Sequence, residues 1–272
     1  MRSTLKIFLY QGTSNGEVDF EGLRSFLQSL LPDISVQLRE EFISHFALPF
    51  KEEEKKIEEV ARTLAQAKVR NIREKWKRQE PLCGEIAYER RYLFTPSQRP
   101  SGILYDAWQL QRILRDLMPP SECDWEKIHV AITNQLFGTW DGGNFHYHCR
   151  TAFFGFPSLI STTGMVEAPA KPRSFYLKLQ MGIPREFLQT EFQGRFLDPG
   201  DPRMTEVLKG YVLQALFYHL TENPFCSDPD CRLFNAHWQE ELIRAQLRDG
   251  ADLCPVHRET LKKILRGEKN PR

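Results

Sequence analysis

Three cysteines and one histidine near the C-terminal end of the sequence have the types and the spacing of a metal site. Cys226 and Cys231 are separated by four residues, and after 22 more residues Cys254 and His257 follow as a second pair. Thiolate sulfur and imidazole nitrogen bind zinc well, and two close pairs on a chain that folds back can complete a tetrahedron. Because four protein ligands leave no open position, the sequence predicts one structural zinc ion per chain. The plainer interpretation is three ordinary buried thiols and a surface histidine.

The composition indicates a globular protein that keeps its thiols reduced. Of the 272 residues, 41% are apolar and 12% are aromatic, so the chain can bury a sizeable core. Six cysteines are too few for a disulfide scaffold, and the N-terminal apolar run is too short for a signal peptide, so we expect a cytoplasmic protein. No run of about 18 apolar residues occurs, which predicts no membrane-spanning helix and no membrane partner.

Strands and helices alternate at the start of the chain. Residues from Leu5 to Tyr10 form an apolar run that predicts a strand. Asp19 can cap a helix that runs to about Leu31, because the apolar residues that follow it recur at helical spacing. Apolar and polar residues then alternate from Ile34 to Leu38, as in a strand. The short connections favour a parallel βαβ unit.

The middle of the chain is less regular. A charged helix is predicted over Lys51–Glu80, with an apolar stripe that ends at Trp76. An irregular stretch follows, and then a helix is predicted from Tyr105 to Leu117, with Trp108 in the core. The run His129–Thr133 is typical of a buried strand.

The later part of the chain is predicted to be mainly helical. Residues Phe137–Gly143 predict a turn, and Tyr147–Phe154 a further strand. A glycine- and proline-rich stretch near residue 200 suggests a boundary between an α/β portion, residues 1–200, and a helical subdomain, residues 201–272, that carries the cysteine cluster. We expect the two portions to pack together as one compact unit. The helices predicted beyond this boundary are Thr205–Leu220, Trp238–Leu247 and Arg258–Leu265.

The cysteine spacing resembles that of the archaemetzincins, metzincin-type zinc metallopeptidases that carry a second, cysteine-bound zinc. Their hallmark is HExxHxxGxxHC, followed four residues later by another cysteine, then a methionine, and farther on a C-x-x-C pair or a close variant. Cys226, Cys231 and Cys254 match these cysteines. His257 takes the last ligand position. The resemblance implies a zincin-like mixed sheet with flanking helices and a helical region that holds the Cys3His cluster.

The catalytic half of the motif does not match. A metzincin needs three imidazoles to hold zinc and a carboxylate to deprotonate the bound water. With Cys226 as the motif cysteine, His219 is the one ligand retained, and no other HExxH occurs in the chain. The resemblance therefore implies a pseudoenzyme, a metallopeptidase homologue that binds an unidentified protein or peptide. The positions of the first histidine, glutamate, glycine, third histidine and methionine hold Ala215, Leu216, Glu222, Phe225 and Leu233.

A rearranged catalytic site is an alternative. His146 and His148 are two residues apart and would share one face of a strand. Together with His219 or Glu167 they could hold a second metal ion, and the protein would then be an active zinc metallopeptidase. The plainer interpretation places the pair on an edge strand and His219 at a helix end, where the helix dipole favours it.

Two further groups of polar residues could bind ligands. Glu167, Lys171 and Arg173 lie in a proline-rich stretch that could present binding groups or could be a rigid connector. A basic tail beyond the cysteine cluster suggests a zinc-knuckle adaptor for nucleic acid or an acidic protein. The 37 basic and 36 acidic residues leave a formal charge of +1, which disfavours nucleic acid as a partner. The basic residues of the tail are Arg258, Lys262, Lys263, Arg266, Lys269 and Arg272.

Overall fold

The computed structural model describes residues 5–13, 16–100 and 102–266, and the chain divides into two compact units. The first unit ends at Gly164 and the second begins at Met165. The division therefore falls earlier in the chain than the predicted boundary near residue 200. Lys269 and Arg272 of the basic tail lie outside the described residues.

The first unit combines two mixed sheets with flanking helices. Its strands are β1 (Lys6–Gly12), β2 (Ser35–Glu40), β3 (Leu104–Asp106), β4 (Lys127–Thr133), β5 (Leu136–Asp141), β6 (His146–Arg150), β7 (Ala152–Phe153) and β8 (Ser158–Ser161). Its helices are α1 (Phe20–Leu30), α2 (Phe42–Ala47), α3 (Glu54–Gln66), α4 (Cys83–Tyr92), α5 (Ala107–Leu117) and the first residues of α6 (Thr162–Glu167).

The larger sheet has the strand order β2-β1-β4-β8-β7, parallel except for β7 at its edge. The predicted β1-α1-β2 unit is confirmed, because Asp19 accepts a hydrogen bond from the N–H of Gly22 (2.8 Å) and β1 pairs in parallel with β2. Helices α2 to α5 supply most of the buried side chains that pack with this sheet's β1 and β4. Its central strands are thus buried, as parallel strands require.

The smaller sheet has the order β3-β5-β6 and corrects one prediction. The predicted turn over Phe137–Gly143 is wrong, because most of this run forms β5, which pairs antiparallel with β6. The turn comes after β5, where the Asp141 carboxylate accepts a hydrogen bond from the N–H of Gly143 (2.8 Å). The Asp141-Gly142 pair thus predicts the position of the turn, but the residues from Phe137 to Asp141 belong to β5.

The long charged helix predicted over Lys51–Glu80 is also wrong. Helix α3 ends at Gln66 because the backbone then pairs with β3, with the N–H of Val69 donating to the carbonyl of Leu104 (2.8 Å). The stretch beyond Pro81 that was expected to be irregular contains α4. Trp108 is not a core residue, since 64% of its surface is exposed.

The second unit is helical. Its helices after α6 are α7 (Arg173–Gln180), α8 (Arg185–Glu191), α9 (Met204–Thr221), α10 (Gln239–Leu247) and α11 (Pro255–Leu265). Among the described residues, no helix is both long and apolar enough to cross a membrane. The predicted mixed α/β class, with a Cys3His cluster in a helical C-terminal region, is confirmed.

Helix α9 is the core of the second unit, and it is buried around most of its circumference. Buried glutamines attach neighbouring segments to it. Gln214 of α9 donates to the carbonyl of Phe234 (3.1 Å), and Gln246 of α10 donates to the carbonyl of Arg232 (2.9 Å). A Cβ atom on Gly210 would lie only 2.0 Å from Oε1 of Gln246, so glycine at this position permits the close approach of α9 and α10.

A buried histidine in β4 makes the first unit sensitive to acid. His129 is 2% exposed, and its Nδ1 lies 2.8 Å from the hydroxyl of Tyr10. Burial is the main cause that lowers the pKa of His129 to about 4. The ordinary pKa of histidine, near 6.5, applies in the unfolded chain. Between about pH 4 and pH 6.5, His129 therefore binds a proton in the unfolded chain but not in the folded chain.

We expect the free energy of unfolding to fall as the pH decreases from about 6.5 to 4. His129→Gln should remove roughly 2 to 3 kcal/mol of that decrease, because glutamine does not titrate. Denaturant unfolding of both proteins at pH 7 and pH 4.5 measures the difference. Equal losses in the two proteins would contradict the prediction.

Candidate metal centre

The four predicted ligands come together in the second unit. One donor atom from each of Cys226, Cys231, Cys254 and His257 lies within 4.8 Å of all the others. The Sγ atoms of Cys226 and Cys254 are 3.9 Å apart, and Sγ of Cys254 is 3.1 Å from Nδ1 of His257. A tetrahedral zinc site with Zn–S bonds of about 2.3 Å has S–S edges of about 3.8 Å, so the donors fit such an ion.

A tight turn holds the first ligand pair. The N–H of Cys231 donates to the carbonyl of Asp228 (3.1 Å), which closes the turn. The N–H of Asp228 points at Sγ of Cys226 (3.3 Å). An N–H directed at sulfur stabilises the thiolate form and fixes its orientation toward a metal.

Helix α11 supplies the second pair. Cys254 is the residue that caps α11, and His257 lies in its first turn, so the two side chains leave the same end of the helix. The N–H of Cys254 points at Sγ of Cys231 (3.4 Å), which joins the two pairs.

Burial opposes ionisation of Cys226, Cys231 and His257 when no metal is bound. It is the largest cause that raises the pKa of the Cys226 thiol, and it raises the pKa of Cys231 to about 12. Burial also lowers the pKa of His257, which keeps the imidazole neutral and able to bind a metal. Metal binding at neutral pH would therefore displace protons from the thiols.

A buried arginine connects the cluster to the start of α9. The guanidinium of Arg232, next to Cys231, donates to the carbonyls of Ala251 (2.9 Å) and Glu206 (3.1 Å). It also forms an ion pair with the Glu206 carboxylate. The ring of Phe217, in α9, contacts the ring of His257 edge-on, with 5.4 Å between centroids. The cluster thus rests on the central helix of its unit.

Two of the positions that the archaemetzincin resemblance aligns with the catalytic motif are part of the core. Ala215 and Leu216 in α9 are 0% and 1% exposed. Glu222, at the motif's glycine position, ends α9 in the left-handed conformation with φ of 62°. Glycine is the residue that most often adopts this conformation at a helix end. Glu222 adopts it here in place of glycine. His219 lies in the last turn of α9.

The predicted ligands of the alternative metal site belong to both units. His146 and His148 lie side by side on β6 of the first unit, with 4.1 Å between ring centroids, and Nε2 of His148 is 2.9 Å from the Asp141 carboxylate. His219 belongs to the second unit. In the described part of the chain, the Cys3His cluster is the one group of three or more histidine, cysteine, aspartate or glutamate side chains that could share a metal ion. The alternative site stays a prediction.

The predicted ligand loop is partly helical, because α6 extends to Glu167. Glu167 and Arg173 are exposed, whereas Lys171 is buried. The Lys171 ammonium lies over the ring of Phe196, 4.3 Å from its centroid, and burial is the main cause that lowers its pKa. The three side chains thus differ in their access to a ligand, and their joint role stays a prediction.

Comparison with known families identifies the class of the protein. A family model described as "Probable metallopeptidase family (DUF6775)" matches residues 3–264, nearly the whole chain. The chain therefore belongs to this family. No match was found among curated proteins, and none among solved structures.

Removing a ligand should remove the metal and destabilise the second unit. We expect Cys254→Ser to lose bound metal and to reduce the free energy of unfolding by about 4 kcal/mol or more, because serine cannot replace the thiolate. Metal analysis and thermal unfolding of the purified protein measure both effects. Cys83→Ser, at an exposed cysteine of the first unit, is the matched control. A Cys254→Ser protein with full metal content and unchanged melting would refute the cluster.

Restoring the motif glutamate should disrupt the core. Leu216→Glu places a carboxylate where Leu216 is 1% exposed, so we expect a loss of roughly 4 kcal/mol of stability. Leu216→Met conserves volume and apolarity and should cost less than about 1.5 kcal/mol. Chemical denaturation of both variants provides the comparison. Equal stability of the glutamate and methionine variants would mean that this position opens onto solvent.

Proposed function

We propose that this protein is a catalytically inactive, archaemetzincin-like member of its metallopeptidase family. In this proposal it holds one structural zinc ion and works by binding another protein or peptide in the cytoplasm. The observation that carries the proposal is the burial of Ala215 and Leu216, at the positions where the motif has its first histidine and its glutamate. An alanine methyl and a leucine side chain can neither hold zinc nor accept a proton.

The ligand chemistry of the cluster supports a structural role. Cys226, Cys231, Cys254 and His257 together supply four donors, which complete the coordination that zinc adopts in structural sites. A catalytic zinc would need a position left for water. Three thiolates also select a soft or borderline metal over magnesium or calcium, which supports zinc as the ion.

The end of α9 supports the archaemetzincin register. The motif glycine position falls on Glu222, which adopts the left-handed conformation that ends the helix. Cys226 follows four residues later and belongs to the cluster. The helix end and the first cysteine thus keep the order and spacing of the motif, although the glycine and two of the three histidines are absent.

Metal stoichiometry tests the proposal. We expect one zinc ion per chain in the protein purified under reducing conditions, because the described residues contain one complete ligand set. His219→Ala should leave that value unchanged. Cobalt substitution should give a tetrahedral, thiolate-rich spectrum that does not change when a hydroxamate is added, since no coordination position is open to it.

A peptidase assay separates this proposal from the alternative of a rearranged active site. We expect no chelator-sensitive hydrolysis of unstructured protein or fluorogenic peptides. Two tightly bound zinc ions per chain, with hydrolysis lost in His146→Ala or His219→Ala, would overturn the proposal and favour an active metallopeptidase. Cys83→Ser is again the control, since it should alter neither metal content nor hydrolysis.

A further inference from the structure

Three tryptophans from separate parts of the first unit line one cleft, which we name the tryptophan cleft. Trp76 comes from the segment after α3, Trp108 from the first turn of α5, and Trp140 from the end of β5. Asp106 and Tyr147 also line it. Its volume of about 310 Å³ lies within the usual range of small-molecule sites, roughly 300–1,000 Å³. None of these residues belongs to the metal cluster.

Hydrogen bonds fix the walls of the tryptophan cleft in place. The indole N–H of Trp76 donates to the carbonyl of Gln66 (2.8 Å), and its backbone N–H donates to the hydroxyl of Tyr147 (3.0 Å). The same hydroxyl donates to Oδ2 of Asp106 (2.7 Å). A ligand therefore meets a preformed surface, which lowers the entropy lost on binding.

The lining of the cleft contains one carboxylate and one ammonium group, those of Asp106 and Lys75. Asp106 is 6% exposed, and its carboxylate accepts hydrogen bonds from Tyr147 and from the N–H of Gln109 (3.0 Å). Among the described residues, no lysine, arginine or histidine forms an ion pair with it. The faces of aromatic rings add further negative potential. Lys75 lines the cleft as an exposed residue, and its ammonium lies over none of these rings in the described structure.

The shape of the cleft favours a compact group. The rings of Trp140 and Tyr147 meet at 64°, with 5.6 Å between centroids, so they form a corner and not a flat platform. A corner of aromatic faces suits a cation, whereas a sugar ring stacks on a plane. Oε1 of Gln109 is buried and has no hydrogen-bond partner, which leaves an acceptor for a ligand N–H.

We propose that the tryptophan cleft binds an alkylammonium or alkylguanidinium group. The charge of Asp106 and the aromatic faces attract the cation, and Gln109 accepts one of its N–H groups. The ligand is either a small free amine or the side chain of a lysine or arginine in a polypeptide. The inference is independent of the zinc cluster, because it uses residues of the first unit only.

Binding of small cations to the full-length, metal-loaded protein tests the proposal. Propylammonium and propylguanidinium should bind saturably, as followed by tryptophan fluorescence and calorimetry, with affinity that falls as salt increases. Butanol, a neutral analogue, should not bind. Tetramethylammonium should bind several-fold more weakly than propylammonium, because it has no N–H for Gln109.

Peptides with one central lysine or arginine distinguish the two sources of the ligand, a small free amine and a polypeptide side chain. Affinity at least tenfold above that of the free amines indicates a polypeptide side chain, equal affinity indicates a small amine, and either result supports the cation site.

Variants locate the binding. Trp108→Ala should weaken binding of propylammonium about tenfold, whereas Trp125→Ala, at a comparably exposed tryptophan outside the cleft, should leave it unchanged. Lys75→Met should strengthen binding at low salt, because it removes a like charge. Asp106→Asn should weaken binding, and asparagine can still cap α5.

Three results would overturn the proposal. The first is the absence of saturable binding by either cation. The second is stronger binding of a neutral sugar, such as glucose or N-acetylglucosamine, than of propylammonium. The third is cation binding that Trp108→Ala and Lys75→Met both leave unchanged. These two variants change exposed side chains, so the test does not depend on Asp106→Asn folding.

Discussion

Four side chains from two distant stretches of chain must reach one point, and the second unit is organised around that requirement. Little regular structure lies between the end of α9 at Thr221 and the start of α10 at Gln239. Isolated bridges, such as those of Cys226 with Phe234 and of Cys231 with Asp252, hold this stretch instead. With thiol pKa values raised by burial, the cluster is poorly suited to exist as free thiolates. A bound metal ion would stabilise this region, which contains little regular secondary structure.

Helix α9 packs at the centre of the second unit. A helix that carries catalytic ligands must present polar side chains to an open cleft. In this chain Ala215 and Leu216 are buried and apolar. Gln214 donates to the carbonyl of Phe234, and Gly210 allows the side chain of Gln246 to approach closely. These side chains of α9 therefore serve packing.

The sequence predicted features whose causes are local. The βαβ start follows from periodicity and from the Asp19 cap, and the metal cluster follows from ligand spacing. The end of α3 could not be predicted, because it depends on pairing of Val69 with Leu104, which is distant in the chain. The tryptophan cleft was missed for the same reason. Trp140 is brought to it by the pairing of β5 and β6. Trp108 lies outside the buried face of α5, which Ala107, Leu110, Ile113 and Leu114 form, although its large apolar side chain predicts a core position.

Arg232 connects the metal cluster to the start of α9, which is the end of the helix farther along the chain from Cys226. Its backbone joins the ligand Cys231 to Leu233, while its guanidinium holds the first turn of α9 through Glu206. If a bound ion left and the segment around Cys231 loosened, the buried guanidinium of Arg232 would lose its hydrogen-bond partners. The start of α9 would then lose the ion pair between Arg232 and Glu206. Loss of a bound metal ion would then affect Glu206, which lies 20 residues before Cys226 in the chain, at the other end of α9. Such a coupled opening would expose to solvent the apolar surface of α9 that is buried in the intact unit, so the stability of α9 would depend on the metal site.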